Sequence, residues 1–397
     1  MRPLILLLLL IVTALPATTR AAPIQAPVMI GFDAEIGHKT STSDEAIRLG
    51  IELAINEINA AGGVLGGRPL QLQVLDNRSV PARGIANLKT FAAMKDLVAV
   101  FCGKFSPVVI EALPVIHEKK IILLDPWAAA DRITNHNYRP DYVFRLSLRD
   151  SWAQPMLLRT LSDRKIRNIG LLLPNTAWGR SNLYGAESYA AAHPEIRLVS
   201  PQWYNWGDQS LLPAYNAILA AGADGLVLVA NEAEGSLLIR EIAMLPPRQR
   251  LPISAAWGIT GGDFATLTGT ALQQVDLEVV QTFSFARNVN PIRNRRVMAA
   301  LQQNHGYDSP RKLLSPVGFG QAYDLTHLLA LAINQAKSTD RAQIRTALEN
   351  LPAWDGLVRQ YNPAFTATRH DALGPEDLFM ARYAADGALL PVAGKQP

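Results

Sequence analysis

Residues 50–70 read GIELAINEINAAGGVLGGRPL and join the second half of an amphipathic helix to a glycine turn and a strand. Apolar residues repeat at helical spacing and define one buried face, formed by Ile47, Ile51, Ala54, Ile55 and Ile58. Gly62 and Gly63 end this helix, because glycine readily adopts the left-handed conformation of a C-terminal cap. From residue 70 onward leucine and valine alternate with glutamine, which predicts a strand. The stretch therefore predicts a helix that leads directly into a β-strand.

The same alternation of short apolar strands and amphipathic helices continues on both sides of this stretch. Strands are predicted at 28–32, 70–74, 98–103 and 121–125, with helices that start at residues 42, 81 and 107. The alternation of strands and helices is interrupted near 143–150. It then resumes with strands at 168–174, 197–204, 225–230, 253–257 and 277–284 and helices at 181–192, 210–221 and 234–245. Three helices follow at 291–305, 316–337 and 340–351, and then a β-like tail at 379–392.

This order of elements predicts an α/β fold of two doubly wound parallel-sheet lobes joined by a three-segment hinge. We expect lobe 1 to contain residues 23–145 and 284–352, and lobe 2 to contain residues 146–283 and 353–397. The chain would cross between the lobes at 144–148, 281–285 and 352–357. A hinge of this kind closes around a ligand.

The N-terminal segment, residues 1–22, has the pattern of a cleavable export signal. A charged start at Arg2 precedes an apolar run at 4–12 and a small-residue cleavage site at 19–21. The run is shorter than the ~20 apolar residues that span a bilayer as a helix. An uncleaved anchor is the alternative. A lipid anchor would need a cysteine at the cleavage point, but the only cysteine is Cys102. We therefore predict a free, soluble protein in the periplasm.

Composition and motifs argue against an enzyme, a metalloprotein and a nucleic-acid binder. The net charge of +4 is spread over mixed acidic and basic residues. Neither a serine nucleophile elbow, a phosphate-binding loop nor a zinc-protease motif is present. The seven histidines are scattered, and His117, next to Glu118, has no second histidine at ligand spacing. We expect each histidine to be structural, the Cys102 thiol to be buried and inert, and no metal or cofactor to be bound.

Several stretches together resemble the type I periplasmic binding proteins of the Leu/Ile/Val-binding group. They are residues 50–70, 111–114, 178–179 and 318–329 and His370, and the likeness covers essentially the whole mature chain in matching order. The resemblance implies a monomeric solute-binding protein that captures a small organic ligand between its lobes and delivers it to the permease subunits of an ABC importer. A periplasmic sensor subunit with the same fold is the alternative.

The resemblance also assigns residues to the ligand site. Ser106 matches the serine that binds the ligand carboxylate, Ala128 and Ala129 match head-group contacts, and Trp178 matches the aromatic residue that covers the pocket. Ser106 before Pro107 also has the pattern of an N-cap, and the N-terminus of a helix attracts anions. The alternative is that Ser106 only caps its helix. The complete predicted set is Phe105, Ser106, Trp127, Ala128, Ala129, Trp178, Asn231, Glu232 and Trp257.

Two departures from the family pattern bear on the ligand. Ala129 replaces a hydroxyl residue, and Trp257 replaces the acid that pairs with the ammonium group of an amino acid. An unpaired ammonium buried in a closed cleft is costly. Leucine, isoleucine and valine are therefore predicted to be poor ligands, unless Asp33, Asp125 or Glu232 supplies the acid.

Aromatic residues suggest another kind of ligand. Trp127, Trp178 and Trp257 follow the carboxyl ends of predicted strands, where open α/β sheets bind ligands. With Phe105 they would form a pocket for a flat or bulky apolar body, and Ser106 with Lys104 would hold a carboxylate. Core positions for the tryptophans, and a surface position for Lys104, are the alternatives.

Overall fold

The computed structural model of this chain describes residues 25–38 and 42–392. The predicted export signal, residues 1–22, lies outside the described residues. Within the described part, two separate large sheets with packed helices form the predicted α/β fold of two lobes. A search of the described helices found none with the length and apolar character of a membrane span.

The bounds of the elements follow the sequence prediction closely. The strands are β1 (Val28–Ala34), β2 (Leu70–Asp76), β3 (Leu97–Cys102), β4 (Ile122–Asp125), β5 (Val143–Arg145), β6 (Asn168–Pro174), β7 (Arg197–Tyr204), β8 (Gly225–Leu228), β9 (Ile253–Ala255), β10 (Leu277–Gln281), β11 (Trp354–Asp355), β12 (Gln360–Tyr361), β13 (Phe379–Tyr383) and β14 (Leu389–Pro391). The helices are α1 (Thr42–Ala60), α2 (Pro81–Ala93), α3 (Ser106–Glu118), α4 (Asp150–Ser162), α5 (Ala177–Ala192), α6 (Leu212–Ala220), α7 (Glu232–Ala243), α8 (Phe264–Thr268), α9 (Pro291–His305), α10 (Pro316–Ala336) and α11 (Arg341–Leu348).

Lobe 1 is built on a parallel sheet with the strand order β2-β1-β3-β4-β5. Strand β3 is buried along its whole length, as expected for a central strand covered by helices on both faces. Helices α1 and α10 pack against each other. They do so at Gly50, where a Cβ atom would lie 2.3 Å from the carbonyl oxygen of Phe319. A glycine at this position lets the two helix backbones approach closely.

Lobe 2 is built on a seven-stranded sheet with the order β14-β13-β10-β9-β8-β6-β7. The five strands from β10 to β7 are parallel, and β13 and β14 add an antiparallel edge. Helix α4 packs on this sheet but was not predicted, because Pro155 within it interrupts the helical pattern of the sequence.

Both parallel sheets have the same topology, and it determines where a ligand lies. In each, the first strand is flanked by the second on one side and the third on the other, as β1 lies between β2 and β3, and β6 between β7 and β8. Ligands of open α/β sheets bind beyond the carboxyl ends of the strands at such a switch point. Lobe 1 therefore offers the loops after β3 and β4, and lobe 2 offers the loops after β6 to β9.

The chain passes from lobe 1 to lobe 2 between β5 and α4 and returns between β10 and α9. The third crossing differs from the prediction that placed residues 353–397 in lobe 2. The backbone N–H of Leu357 donates to Asp324 on α10, and Asp371 forms an ion pair with Arg145 at the end of β5. These contacts hold the segment against lobe 1, so the crossing lies after Asp371 and before β13, not at 352–357.

Candidate ligand-binding site

The loops at the carboxyl ends of the strands line a narrow cavity between the lobes. Its lining residues are Lys104, Phe105, Ser106, Pro107, Trp127, Ala129, Trp178, Trp206, Asn231 and Trp257. All of the predicted ligand-binding residues line it except Ala128 and Glu232. The free space within it is about 10 Å³, room for about one water molecule. A ligand therefore has to separate the side chains that meet across the cavity.

Aromatic side chains from opposite lobes meet across the cavity. Trp127, after β4, stacks on Trp257, after β9, with ring centroids 5.4 Å apart and an interplanar angle of 28°. Phe105, after β3, makes an edge contact with Trp206, after β7, at 5.0 Å and 61°. Each pair combines one ring from each lobe, so these contacts exist only when the lobes are together.

Trp178 lies in the first turn of α5, where Thr176 caps the helix by accepting a hydrogen bond from a backbone N–H. Its indole Nε1 donates to Asp150 Oδ1 at 3.1 Å. A Cβ atom at Gly258 would lie 2.7 Å from the indole Cη2, so a glycine there leaves room for the ring. Burial, with the nearby Asp131 carboxylate as a second cause, raises the pKa of Asp150 to about 8. The carboxyl group that positions Trp178 is therefore mainly protonated at neutral pH.

An ion pair joins the lobes beside the aromatic rings. Lys104 Nζ lies 3.1 Å from Glu232 Oε1, and the two side chains are only 2% and 3% exposed. Lys104 Nζ is also 3.9 Å from Glu35 and 5.0 Å from the centroid of the Phe105 ring. Lys104 is therefore a buried residue of the cleft, and the alternative of a surface lysine is wrong. Asp44 accepts the backbone N–H of Lys104 at 2.8 Å.

Three acids were candidate partners for a ligand ammonium group, and each is engaged elsewhere. Asp33 accepts hydrogen bonds from two asparagine side chains. Asp125 accepts from the backbone N–H groups of the loop that follows it. Glu232 pairs with Lys104. Burial raises the pKa of Asp33 and of Asp125 to about 6. None of the three lines the cavity in the part of the chain that the structure describes.

Ser106 does not have the predicted capping role. It is the first residue of α3, Phe105 precedes the helix, and no side chain caps it. The Ser106 hydroxyl instead accepts the backbone N–H of Ala130 at 3.3 Å, which ties the loop after β4 to the start of α3. The hydroxyl hydrogen remains available to donate into the cavity. Ala128 is buried in the same loop behind the cavity wall.

Hydrogen bonds between the lobes flank the cavity. Thr42 Oγ1, in lobe 1, donates to the carbonyl oxygen of Gly261, in lobe 2, at 2.9 Å. Asp131, in lobe 1, accepts from the Ser181 hydroxyl at 2.9 Å and from the backbone N–H of Ser151 at 3.1 Å. The described conformation is therefore a closed one.

Known proteins share this arrangement of two α/β lobes with a cleft at the switch points of their sheets. Residues 27–388 match the sequence profile of the family described as periplasmic binding protein. The chain belongs to this family. Its members are binding proteins, which agrees with the absence of a catalytic motif in the sequence.

Individual members of the periplasmic binding protein family show how far the similarity extends. The Leu/Ile/Val-binding protein homolog 3 of Brucella melitensis is 23% identical over 323 residues, 81% of this chain and 82% of that protein. A periplasmic binding protein type 1 from Bordetella pertussis superposes with a TM-score of 0.81 at 20% identity, over 92% of this chain and 100% of that one. An ABC transporter solute-binding protein from R. palustris, solved with benzoate, has a TM-score of 0.77 at 16% identity, over 94% and 97%.

Two features of this binding protein were missed in the sequence. Trp206 lines the cavity and follows β7, so the strand-end rule that selected the other tryptophans would also have selected it. The second feature is a contact between two histidines that are too far apart in the sequence to show ligand spacing. His117 and His136 lie in contact, with ring centroids 4.9 Å apart, because the chain between α3 and β5 folds back onto the end of the helix. Cys102 is buried as expected, and burial raises the pKa of its thiol.

Proposed function

We propose that this protein binds a small aromatic carboxylate in the interlobe cleft and delivers it to an ABC importer. The observation that carries the proposal is a cavity walled by aromatic rings from both lobes and lined by no acidic residue of the described chain. The predicted export signal at residues 1–22 and the family's periplasmic character support a location in the periplasm.

The aromatic walls favour a flat ligand. Rings in proteins prefer offset-stacked or edge contacts, and a ring inserted between Trp127 and Trp257 would replace one stacked contact by two. A branched aliphatic side chain gains no such contact. The benzoate complex of the R. palustris protein shows that a member of this fold accommodates such a ring.

Donors around the cavity favour a carboxylate at one end of the ligand. The indole Nε1 of Trp206 is buried and has no hydrogen-bond partner among the described residues. Such a buried donor costs free energy until it finds an acceptor. The Ser106 hydroxyl, the Lys104 ammonium and the N-terminus of α3 lie along the same wall. A ligand carboxylate that accepts from Trp206 and Ser106 would satisfy these groups together.

The same wall disfavours amino acids. An α-ammonium group in this cavity would face Lys104 and no free carboxylate, and a buried charge without a partner is strongly unfavourable. The name of the Brucella relative points to leucine, isoleucine and valine, but the family resemblance places Trp257 at the position of the acid that pairs with such ligands, and no acidic residue of the described chain lines the cavity.

A titration panel tests the ligand class. We expect benzoate and hydroxybenzoates to bind with micromolar or tighter affinity and to change tryptophan fluorescence. Benzamide lacks the carboxylate and cyclohexanecarboxylate lacks the flat ring. Both should therefore bind at least about tenfold more weakly than benzoate. Micromolar binding of leucine, with no binding of benzoate, would refute the ligand class.

A single substitution tests the proposed donor. Trp206→Phe keeps an aromatic ring beside Phe105 but removes the N–H group together with part of the indole, so its effect on benzoate is compared with its effect on benzamide. Loss of a hydrogen bond to a charged group costs about 1.5 to 3 kcal/mol, which corresponds to roughly tenfold or more in benzoate affinity. Binding of benzamide should fall less. Equal benzoate affinity in the variant and the wild type would exclude Trp206 as a carboxylate donor.

Delivery to an importer requires a permease that recognises the closed form. The ligand-loaded protein should stimulate ATP hydrolysis by its cognate permease and ATPase subunits in proteoliposomes, whereas the ligand-free protein should not. Ligand-dependent activation of a sensor kinase in place of ATPase stimulation would favour the sensory alternative.

A further inference from the structure

Lobe 1 contains a second cluster of polar side chains at the edge of its sheet opposite the cleft. His117 lies in the last turn of α3, Asp141 lies two residues before β5, and His136 lies in the loop that connects the cleft to β5. One donor atom from each of the three side chains lies within 4.8 Å of the other two. Because strand β5 starts after Asp141, the cluster is at the amino-terminal edge of the sheet, away from the ligand cavity.

Distances within the cluster match the edges of a metal coordination sphere. Asp141 Oδ1 is 3.3 Å from His117 Nε2 and 3.5 Å from His136 Nε2. Nitrogen and oxygen ligands that lie 2.0 to 2.1 Å from a tetrahedral zinc ion are separated by about 3.3 Å. The two distances from Asp141 therefore match this separation, and all three atoms lie within 4.8 Å of one another.

The tautomer of His117 is set for metal binding. Its Nδ1 lies 2.8 Å from the carbonyl oxygen of Leu113, which requires the proton on Nδ1. The lone pair is then on Nε2, consistent with the backbone N–H of Tyr142 at 3.4 Å. Metal-ligating histidines commonly donate their other ring nitrogen to a carbonyl in this way. In this tautomer Nε2, which lies 3.3 Å from Asp141 Oδ1, can offer its lone pair to a metal ion.

His136 gives an independent reason to expect a ligand. Its side chain is 7% exposed, and neither ring nitrogen forms a hydrogen bond within the described chain. A buried polar group without a partner costs free energy, and a metal bond to Nε2 removes part of that cost.

Asp141 provides the negative charge. Its Oδ1 faces both histidine rings, and its Oδ2 faces His370. His370 Nδ1 lies 3.4 Å from Asp141 Oδ2 and 2.8 Å from the carbonyl oxygen of Val143. His370 therefore orients the carboxylate from behind. Two imidazoles and one carboxylate are a ligand set that suits zinc, whereas calcium and magnesium prefer oxygen ligands.

We propose that His117, His136 and Asp141 hold one zinc ion, with water in the fourth position. The segment between β4 and β5 carries Trp127 at its cleft end and His136 near its other end. Zinc would therefore fasten to α3 the same segment that forms one wall of the ligand cavity. This role is separate from ligand capture and does not depend on the identity of the ligand.

Zinc titration of untagged protein, after dialysis against a chelator, tests the site. We expect one zinc ion per chain and a rise in melting temperature with zinc concentration, because a ligand that binds only the folded state stabilises it. Cobalt(II) should give the intense visible absorption of a four-coordinate site. His136→Gln and Asp141→Asn should each weaken zinc binding by about a hundredfold or more, since even an outer-shell partner contributes about ten- to a hundredfold. His305→Gln, at an exposed position, is the control and should bind as the wild type does.

Three results would overturn the proposal. One is no zinc binding by the wild-type protein. Another is equal affinity in folded His136→Gln, with folding checked by circular dichroism. If that variant does not fold, X-ray absorption of the zinc-loaded wild type decides the question, and a spectrum without two imidazole ligands contradicts the site.

Discussion

Replacing Glu232 by glutamine is expected to favour the open conformation of the cleft. Glu232 belongs to lobe 2 and Lys104 to lobe 1, so their ion pair exists only when the lobes meet. In the open form both side chains face water and the substitution changes little. Glu232 does not line the cavity, so its loss leaves the ligand contacts of the other residues in place.

The expected loss of ligand affinity follows from the burial of the ion pair between Lys104 and Glu232. The side chains are 2% and 3% exposed, and leaving one member of a buried pair without its partner costs about 3 to 5 kcal/mol. Glu35, 3.9 Å from Lys104 Nζ, offsets part of this cost, so the lower end of the range applies. A loss of about 3 kcal/mol in the closed form lowers ligand affinity by roughly a hundredfold.

Calorimetric titration of Glu232→Gln with the panel member that binds the wild type most tightly measures this loss. Glu187→Gln, an exposed substitution on α5, is the matched control and should leave the affinity unchanged. Stopped-flow fluorescence should place most of the loss in a faster dissociation rate, because closure retains the ligand after it binds. An affinity within threefold of the wild type would show that the ion pair does not contribute to closure.

Three further substitutions probe other parts of the structure. Trp178→Ala should weaken ligand binding by more than tenfold, about 1.4 kcal/mol or more, without unfolding the chain. Trp354→Ala, outside the cavity, is the control and should leave the affinity unchanged. Equal ligand affinities for the two variants would remove Trp178 from the site. Because the pKa of Asp150 is raised from 3.8 to about 8 in the folded chain, its protonated form stabilises the fold below about pH 4, and this contribution is lost as the pH rises to 8. The free energy of unfolding should therefore fall less between pH 5 and pH 8 for Asp150→Asn than for the wild type. Equal decreases for the two proteins, measured by urea denaturation at each pH, would contradict this. Asp371→Asn leaves Arg145 buried without its carboxylate and should lower the free energy of unfolding by about 3 to 5 kcal/mol. A decrease below about 1 kcal/mol in urea denaturation would show that the ion pair does not hold the segment around Asp371 against lobe 1.

Local patterns in the sequence were sufficient for most of the fold. The helix and strand around residues 50–70, and the strand at 168–174, appear within a few residues of the predicted bounds, because period and glycine caps are properties of the local chain. Helix α4 was missed because Pro155 interrupts the helical pattern of its sequence. The third crossing was misplaced because it depends on Asp371 pairing with Arg145, which are 226 positions apart. Such pairings are not visible in a local pattern.

The site was predictable only in part. Strand-end positions correctly brought Trp127, Trp178 and Trp257 to one cavity, since the carboxyl ends of parallel strands share one edge. The ion pair of Lys104 depends on which surfaces of the two lobes meet, and the hydrogen bond of the Ser106 hydroxyl joins two loops of lobe 1. Neither contact is visible in the local sequence. The histidine cluster was overlooked because its members come from separate elements of lobe 1.

Small-angle X-ray scattering with and without the tightest ligand of the titration panel measures closure of the two lobes directly. Capture of the ligand in the cleft predicts a smaller radius of gyration for the loaded protein and recovery of the larger value when the ligand is dialysed away. Superimposable scattering curves at saturating ligand would contradict a cleft that closes on its solute.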